Sequence, residues 1–152
     1  MKKEFVMRGK TESTAGQNEE VLNFSGYKPG YAYRLTEFQI YPATGLHTLD
    51  MELSATITAS KTSMDPTDVD FNDEGLIGSV LLNGTTAPRY PIGPMIAVIN
   101  DTFLITQNLL LKVADLGGNA VAVNWQCRFV SEKMSGPEEA VANYKQFTIS
   151  DE

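Results

Sequence analysis

The sequence predicts an all-β fold: an antiparallel β-sandwich, jelly-roll-like, with one short helix near the carboxyl terminus and an extended arm at the amino terminus. Two stretches, residues 49–59 and 121–129, alternate apolar and polar side chains almost without error. A period of two places one set of side chains in a core and the other in water, as in half-buried strands of an antiparallel sheet. Further apolar runs follow at short intervals, separated by Gly, Pro and Asn turns, which favours a sandwich over a single open sheet.

The length and composition indicate one domain. With 152 residues, 42% of them hydrophobic, the chain can bury a core but is too short for two ordinary domains. We expect an arm at residues 1–18 and a single β-sandwich domain at residues 19–152.

The predicted arm is polar and basic, whereas the rest of the protein is acidic. Its cations are Lys2, Lys3, Arg8 and Lys10, against only two glutamates. Two interpretations remain open: a disordered terminus, or a tether that becomes ordered on an acidic neighbouring surface.

The predicted strands, in order, lie at residues 20–25, 31–41, 48–60, 76–82, 95–99, 102–113 and 120–133. Leu35 and Phe38 cannot share one face of a regular pleat, so a bulge or bend is expected between them. Asn83-Gly84 and Gly117-Gly118 supply the positive φ of tight hairpins, and we expect the strands on either side of each turn to pair. The outward positions of residues 48–60 are expected to form polar surface.

One helix of about two turns is predicted at residues 135–144. Ser135 or Gly136 precedes it, Pro137 lies in the first turn, and two glutamates follow at the positive end of the helix dipole. Residues 146–150 are expected to return to a sheet edge.

Charge and hydropathy exclude several partners. The net charge of −7 and the pI near 4.7 argue against binding to nucleic acid. No apolar run is long enough to span a bilayer, and the basic start lacks the apolar segment of a signal peptide, so we expect no membrane partner and synthesis in the cytoplasm. The single cysteine, Cys127, cannot form an internal disulfide and lies on the apolar phase of its strand.

The sequence contains no catalytic motif, so we expect no enzyme and no cofactor. His47, the only histidine, lies in a turn away from any cysteine or carboxylate cluster, and no nucleophile elbow or phosphate-binding loop is present. Paired carboxylates for glycoside hydrolysis remain open, because such pairs meet only in three dimensions.

An acidic stretch at residues 65–75 is the one weak candidate for a cation site. Asp68-x-Asp70-x-Asn72 resembles the start of a calcium loop, but Asp73 replaces the expected glycine and Ser79 the expected glutamate. A solvated turn is the favoured interpretation.

Residues 88–94 place prolines three apart, with Arg89 and Tyr90 between them. A rigid connecting loop is the favoured interpretation, and Arg89 and Tyr90 are candidate partner-binding residues within it.

Three segments, residues 70–77, 99–107 and 124–129, resemble proteins of marine tailed bacteriophages that are regarded as capsid decoration (cement) proteins. The resemblance implies a structural virion protein, jelly-roll-like, on the capsid exterior. Its partner would be the major capsid protein of the same phage, and it would form a homo-oligomer. No catalytic residue is carried over.

On this interpretation the basic arm and one apolar edge bind the shell, and deletion of residues 1–18 should leave the fold intact and abolish binding to the particle. The alternatives are a tail or fibre adhesin for a host glycan or receptor, with Tyr27, Tyr31 and Tyr90 as exposed aromatics, and a small hydrolase or lectin-like enzyme with paired carboxylates in a cleft.

Overall fold

The structure, a computed structural model, describes residues 3–13, 17–23, 30–44, 50–60, 62–84, 95–117, 121–138 and 140–142. The described residues form strands β1 (Lys3–Thr11), β2 (Gln17–Leu22), β3 (Tyr31–Pro42), β4 (Met51–Thr58), β5 (Leu76–Gly84), β6 (Ile96–Ile99), β7 (Leu109–Asp115) and β8 (Val123–Lys133). They make a three-stranded sheet in the order β1-β8-β3 and a five-stranded sheet in the order β2-β7-β4-β5-β6.

The strand pairs are nested along the chain, as in a rolled-up hairpin. β4 pairs with β5, β2 with β7 and β1 with β8, all antiparallel. A further bridge lies inside the β2–β7 pair and outside the β4–β5 pair. There Tyr33 of β3 and Ile105 exchange two backbone hydrogen bonds of 2.8 and 3.0 Å. This nesting is the topology of a jelly roll, and the predicted fold class is confirmed.

The core lies between the two sheets and is built from the two alternating stretches. From Met51 to Ala59 and from Val121 to Phe129, every apolar position of the alternation is buried. Leu35 and Phe38 are both buried as well, because the register of β3 against β8 shifts between Leu35 and Glu37. The predicted bulge is therefore confirmed, and Thr36 is its extra residue.

The expectation of an arm outside the sandwich is wrong for residues 3–11. These residues form β1, which pairs with β8 along its whole length. Phe5 and Met7 pack against the core, and the Thr11 hydroxyl accepts a 3.0 Å hydrogen bond from the indole N–H of Trp125. The alternation is hard to recognise in the sequence, because its inward positions also include Gly9 and Thr11.

One of the two predicted hairpins is wrong and the other is only partly right. β7 and β8 belong to different sheets, so they do not pair as a hairpin and the chain changes sheets between them. Asp115 holds this crossing: its carboxylate accepts hydrogen bonds from the backbone N–H groups of Glu52, Gly117 and Val121. β5 and β6 do pair, as predicted, but residues 85–95 separate them.

The predicted strand at residues 102–113 is shorter than expected, since only Leu109–Asp115 forms β7.

The predicted helix is present at residues 136–138 and 140–142. The Ser135 hydroxyl accepts a hydrogen bond from the Glu138 N–H and donates one to its carboxylate, which is a capping arrangement. The predicted strand at residues 146–150 lies outside the described residues.

The middle of β4 is covered on its outer face, where polar surface was expected. Ser54 and Thr56 are buried, and their hydroxyls donate to the carbonyls of Pro66 and Met64 at 2.9 and 2.8 Å. The segment after β4 therefore folds back over its own strand, and the two hydroxyls are buried without losing their hydrogen bonds.

Candidate binding surfaces

The outer face of the three-stranded sheet carries a compact group of polar side chains. In the strand register, Arg8 of β1, Gln126 of β8 and Gln39 of β3 form one row across the sheet. Two residues further along, the next row on the same face consists of Lys10, Asn124 and Tyr41. We call these six residues the polar face.

The polar face differs from neighbouring rows of its own sheet in that its side chains have no partners among the described residues. None of the six makes a side-chain hydrogen bond or ion pair with another described residue. In the adjacent rows, by contrast, Arg128 lies 3.3 Å from Glu37 and 3.8 Å from Glu4, and Arg34 lies 2.8 Å from Glu132. The charges there neutralise one another, whereas Arg8 and Lys10 leave the polar face positive.

Five of the six polar-face residues also line an open groove of about 1090 Å³. The described lining of this groove contains no carboxylate, and it includes core residues from between the two sheets, namely Ile40, Leu82 and Trp125, together with Met95. Tyr41 is 60% exposed, although its strand neighbours Ile40 and Pro42 are buried. The groove therefore offers an exposed aromatic ring among amide and cationic groups.

A second surface, on the outer face of the five-stranded sheet, is apolar. Leu81 of β5 lies opposite Ile96 of β6, and Val98 follows on the same face opposite Ser79. Phe71 and Leu116 line a shallow groove of about 320 Å³ together with these three side chains. We call Phe71, Leu81, Ile96, Val98 and Leu116 the apolar face.

Four members of the apolar face are well exposed: Phe71 at 65%, Ile96 at 57%, and Val98 and Leu116 at 47% each. β6 forms one edge of its sheet, so the side of β6 away from β5 has no strand pairing within the described part of the chain. Contiguous exposed apolar side chains next to an open sheet edge are typical of surfaces that contact another protein.

The structure places the predicted partner-binding residues in different locations. Arg8 and Lys10 lie together on the polar face, whereas Lys3 belongs to the opposite phase of β1. Lys2, Arg89 and Tyr90 lie outside the described residues. Of the tyrosines named in advance, Tyr31 is half-buried and Tyr27 lies outside the described residues. The sequence analysis did not select Tyr41 as a candidate binding residue. The sequence did offer one indication, an aromatic side chain at an outward position of a predicted strand.

The acidic stretch uses its carboxylates to stabilise its own turns. Asp65 accepts from the N–H of Thr67, Asp70 from that of Asn72 and Asp73 from that of Gly75, at 2.8 to 2.9 Å. Within the described residues, Asp68, Asp70 and Asp73 belong to no group of three or more His, Cys, Asp and Glu side chains that could hold a metal ion.

The chemistry available elsewhere in the described residues is limited. Cys127 is buried, and this burial raises the pKa of its thiol, so the thiol stays protonated. His47 lies outside the described residues. Within the described ranges, no helix is long and apolar enough to cross a membrane, and no cluster of three or more His, Cys, Asp and Glu side chains is placed to bind a metal.

No known protein family matches this sequence, and no curated protein matches it either. Several solved structures are similar. A chain of turnip yellow mosaic virus gives a TM-score of 0.46 at 9% identity, covering 88% of this chain and 93% of that one. A chain of Cocksfoot mottle virus gives 0.39 at 12% identity, covering 90% and 98%. A mitogen derived from Yersinia pseudotuberculosis gives 0.35 at 11% identity, covering 90% and 89%.

These similarities concern the fold alone.

Proposed function

We propose that this chain is a structural, non-enzymatic virion protein that binds the outer surface of a tailed-phage head as a decoration, or cement, protein. The observation that carries the proposal is the apolar face beside the open edge of β6. It supports a protein that works by contact with another protein, and the sequence resemblance to phage decoration proteins supplies the kind of partner.

The apolar face is suited to a modest contact repeated many times. Its exposed side chains form a small patch, and a small patch gives a weak individual interface. On a shell, each partner site is present in many copies, and a homo-oligomer of this chain would engage several of them at once. Effective concentration then makes weak contacts sufficient. The partner in this proposal is the major capsid protein of the same phage.

The placement of the cations changes which residues contact the shell. Arg8 and Lys10 were expected to bind an acidic capsid surface together with an apolar edge. They lie on the outer face of one sheet and the apolar face lies on the outer face of the other, so the two groups point away from each other. A single shell surface cannot contact both, and we assign the capsid contact to the apolar face. Arg89 and Tyr90, which lie between β5 and β6 in the chain, remain predicted contributors.

Binding to purified heads of the encoding phage tests the proposal. The purified protein is mixed with undecorated heads, and the amount that co-sediments is measured against protein concentration. Val98→Ser should weaken binding at least about tenfold, because it removes an apolar side chain from the contact. Val21→Ser is the matched control: Val21 is 56% exposed on the outer face of the opposite edge strand of the same sheet, and its replacement should leave binding unchanged.

Failure of the unmodified protein to sediment with heads would overturn the proposal, and so would equal loss of binding in the two variants. Light scattering on the free protein tests the homo-oligomer. The alternative role, a tail or fibre adhesin, predicts binding to host cells in the absence of any head, together with no binding to heads.

A further inference from the structure

We infer that the polar face is a binding site for an anionic oligosaccharide. The inference depends on side chains that take no part in the proposed capsid contact, and the two can therefore fail independently. It starts from six polar side chains that are arranged on a rigid sheet and make no hydrogen bonds or ion pairs with other described residues.

The arrangement has the dimensions of a small ligand site. Three strands carry the two rows, so the group spans about 10 Å across the strands and about 7 Å along them. β8 is the middle strand of its sheet and is hydrogen-bonded on both sides, which holds Asn124 and Gln126 in place. A short oligosaccharide fits such an area, and the paired backbone fixes the spacing of the side chains that would contact it.

The side chains match the chemistry of a sugar. Asn124, Gln126 and Gln39 each offer an amide that both donates and accepts hydrogen bonds, as sugar hydroxyls also do. Tyr41 offers an exposed ring with an apolar surface and a polar end, and the apolar C–H side of a sugar ring can stack on it. Among these six residues Tyr41 is the only aromatic one, so the surface is too polar for a purely apolar ligand.

The charges select an anionic sugar. Arg8 and Lys10 lie at the edge of the polar face without a described carboxylate partner, in a protein of net charge −7. A guanidinium and an ammonium group bind carboxylate or sulfate oxygens through charge-assisted hydrogen bonds. Two cations are too few to bind the phosphate backbone of a nucleic acid on an acidic protein.

The inference also gives the proposed decoration protein an orientation. If the apolar face contacts the shell, the polar face points outward, because it lies on the opposite side of the sandwich. This orientation rests on the proposed function, whereas binding of the sugar by the free protein does not.

Calorimetric titration of the intact protein tests the inference with defined probes. The anionic probes are oligosaccharides of hyaluronan, alginate and heparin, and the neutral probes are oligosaccharides of dextran and cellulose. Poly-L-glutamate serves as an anionic polymer without sugar rings. We expect at least one anionic oligosaccharide to bind at least about tenfold more tightly than the neutral oligosaccharides and poly-L-glutamate.

Four single variants then locate the site. Arg8→Gln and Tyr41→Ala should each weaken binding of that oligosaccharide about tenfold. Lys133→Gln removes an exposed cation from the far end of the same sheet, and Phe71→Ala removes an exposed aromatic ring from the apolar face. Both controls should retain full affinity for the sugar, whereas Phe71→Ala should reduce binding to heads.

Three outcomes would overturn the inference. The first is no binding of any anionic oligosaccharide. The second is equal binding of poly-L-glutamate, which would indicate attraction by charge alone. The third is an equal effect of Arg8→Gln and Lys133→Gln, which would place the ligand elsewhere. Loss of head binding in Phe71→Ala with sugar binding intact would separate this site from the capsid contact.

Discussion

Gly9 and Trp125 illustrate how a single residue sets the packing of this fold. The two residues are paired across β1 and β8, and the indole ring lies over the glycine backbone. A Cβ atom on residue 9 would lie 2.5 Å from Cζ2 of Trp125. The position therefore has no room for a side chain, because the ring of its partner already fills the space.

Gly9→Ala should destabilise the protein by about 1–3 kcal/mol, because the added methyl group forces the indole out of its rotamer or the strands apart. Urea unfolding followed by the fluorescence of Trp125 measures the change. Gly136→Ala is the control: a Cβ there meets nothing within 4 Å, and the residue lies in the helix, so we expect no loss and a gain of up to about 1 kcal/mol. Equal stability of Gly9→Ala and the unmodified protein would contradict the packing described for Trp125.

At the scale of whole elements, β1 is an integral strand of the sandwich. Removal of residues 1–11 would expose the edge of β8, uncover Phe5 and Met7, and leave the Trp125 indole without its hydrogen-bond acceptor. The truncated chain should therefore lose its cooperative unfolding transition, since the loss exceeds what a marginally stable domain tolerates. Circular dichroism during urea titration measures this.

A double variant, Arg8→Gln with Lys10→Gln, separates strand pairing from charge. Both side chains point outward from β1, so the fold should survive with its stability changed by less than about 1 kcal/mol. A truncated chain that unfolds as cooperatively as the complete one would show that β1 is dispensable.

Single strands were predictable where all of their inward-facing positions carry apolar side chains. In β4, and in β8 as far as Phe129, every inward position bears a core side chain, so the period of two is visible in the sequence. In β1 the inward phase includes Gly9, which is small because Trp125 occupies its space. The pairing of strands was less accessible: Gly117 suggested a hairpin, but a Cβ there would meet the backbone of Asp50 and Met51 at 2.9 Å, so close approach to β4 explains this glycine.

The polar face was not predictable either, because it also depends on which strands pair. Arg8, Gln39 and Gln126 are ordinary outward residues in three distant parts of the sequence, and only the register of β1 and β3 against β8 brings them into one row. Tyr41 gains its significance from that register. The apolar face depends likewise on the pairing of β5 with β6 and on the placement of Phe71.

For the whole molecule, Cys127 reports on global unfolding. The thiol lies in the core between the two sheets, and burial raises its pKa, so at pH 8 the native protein holds almost no reactive thiolate. Labelling with a disulfide reagent should therefore require unfolding, and we expect a rate at least about 1000-fold slower in buffer than in concentrated urea. Fast labelling of a protein that keeps its native circular dichroism would show instead that β8 opens locally.

The central position of β8 has a consequence for biosynthesis. β1 and β3 pair with β8 and not with each other, although both are translated more than eighty residues before it. While the ribosome is still adding β7, neither strand has its partner, and both expose backbone groups that another chain could pair with. The nascent chain therefore passes through a long interval with two unpaired strands. Premature termination in this interval, or many ribosomes close together on one message, would bring such unpaired strands into contact and favour aggregation. Only the release of β8 closes the first sheet and ends that risk.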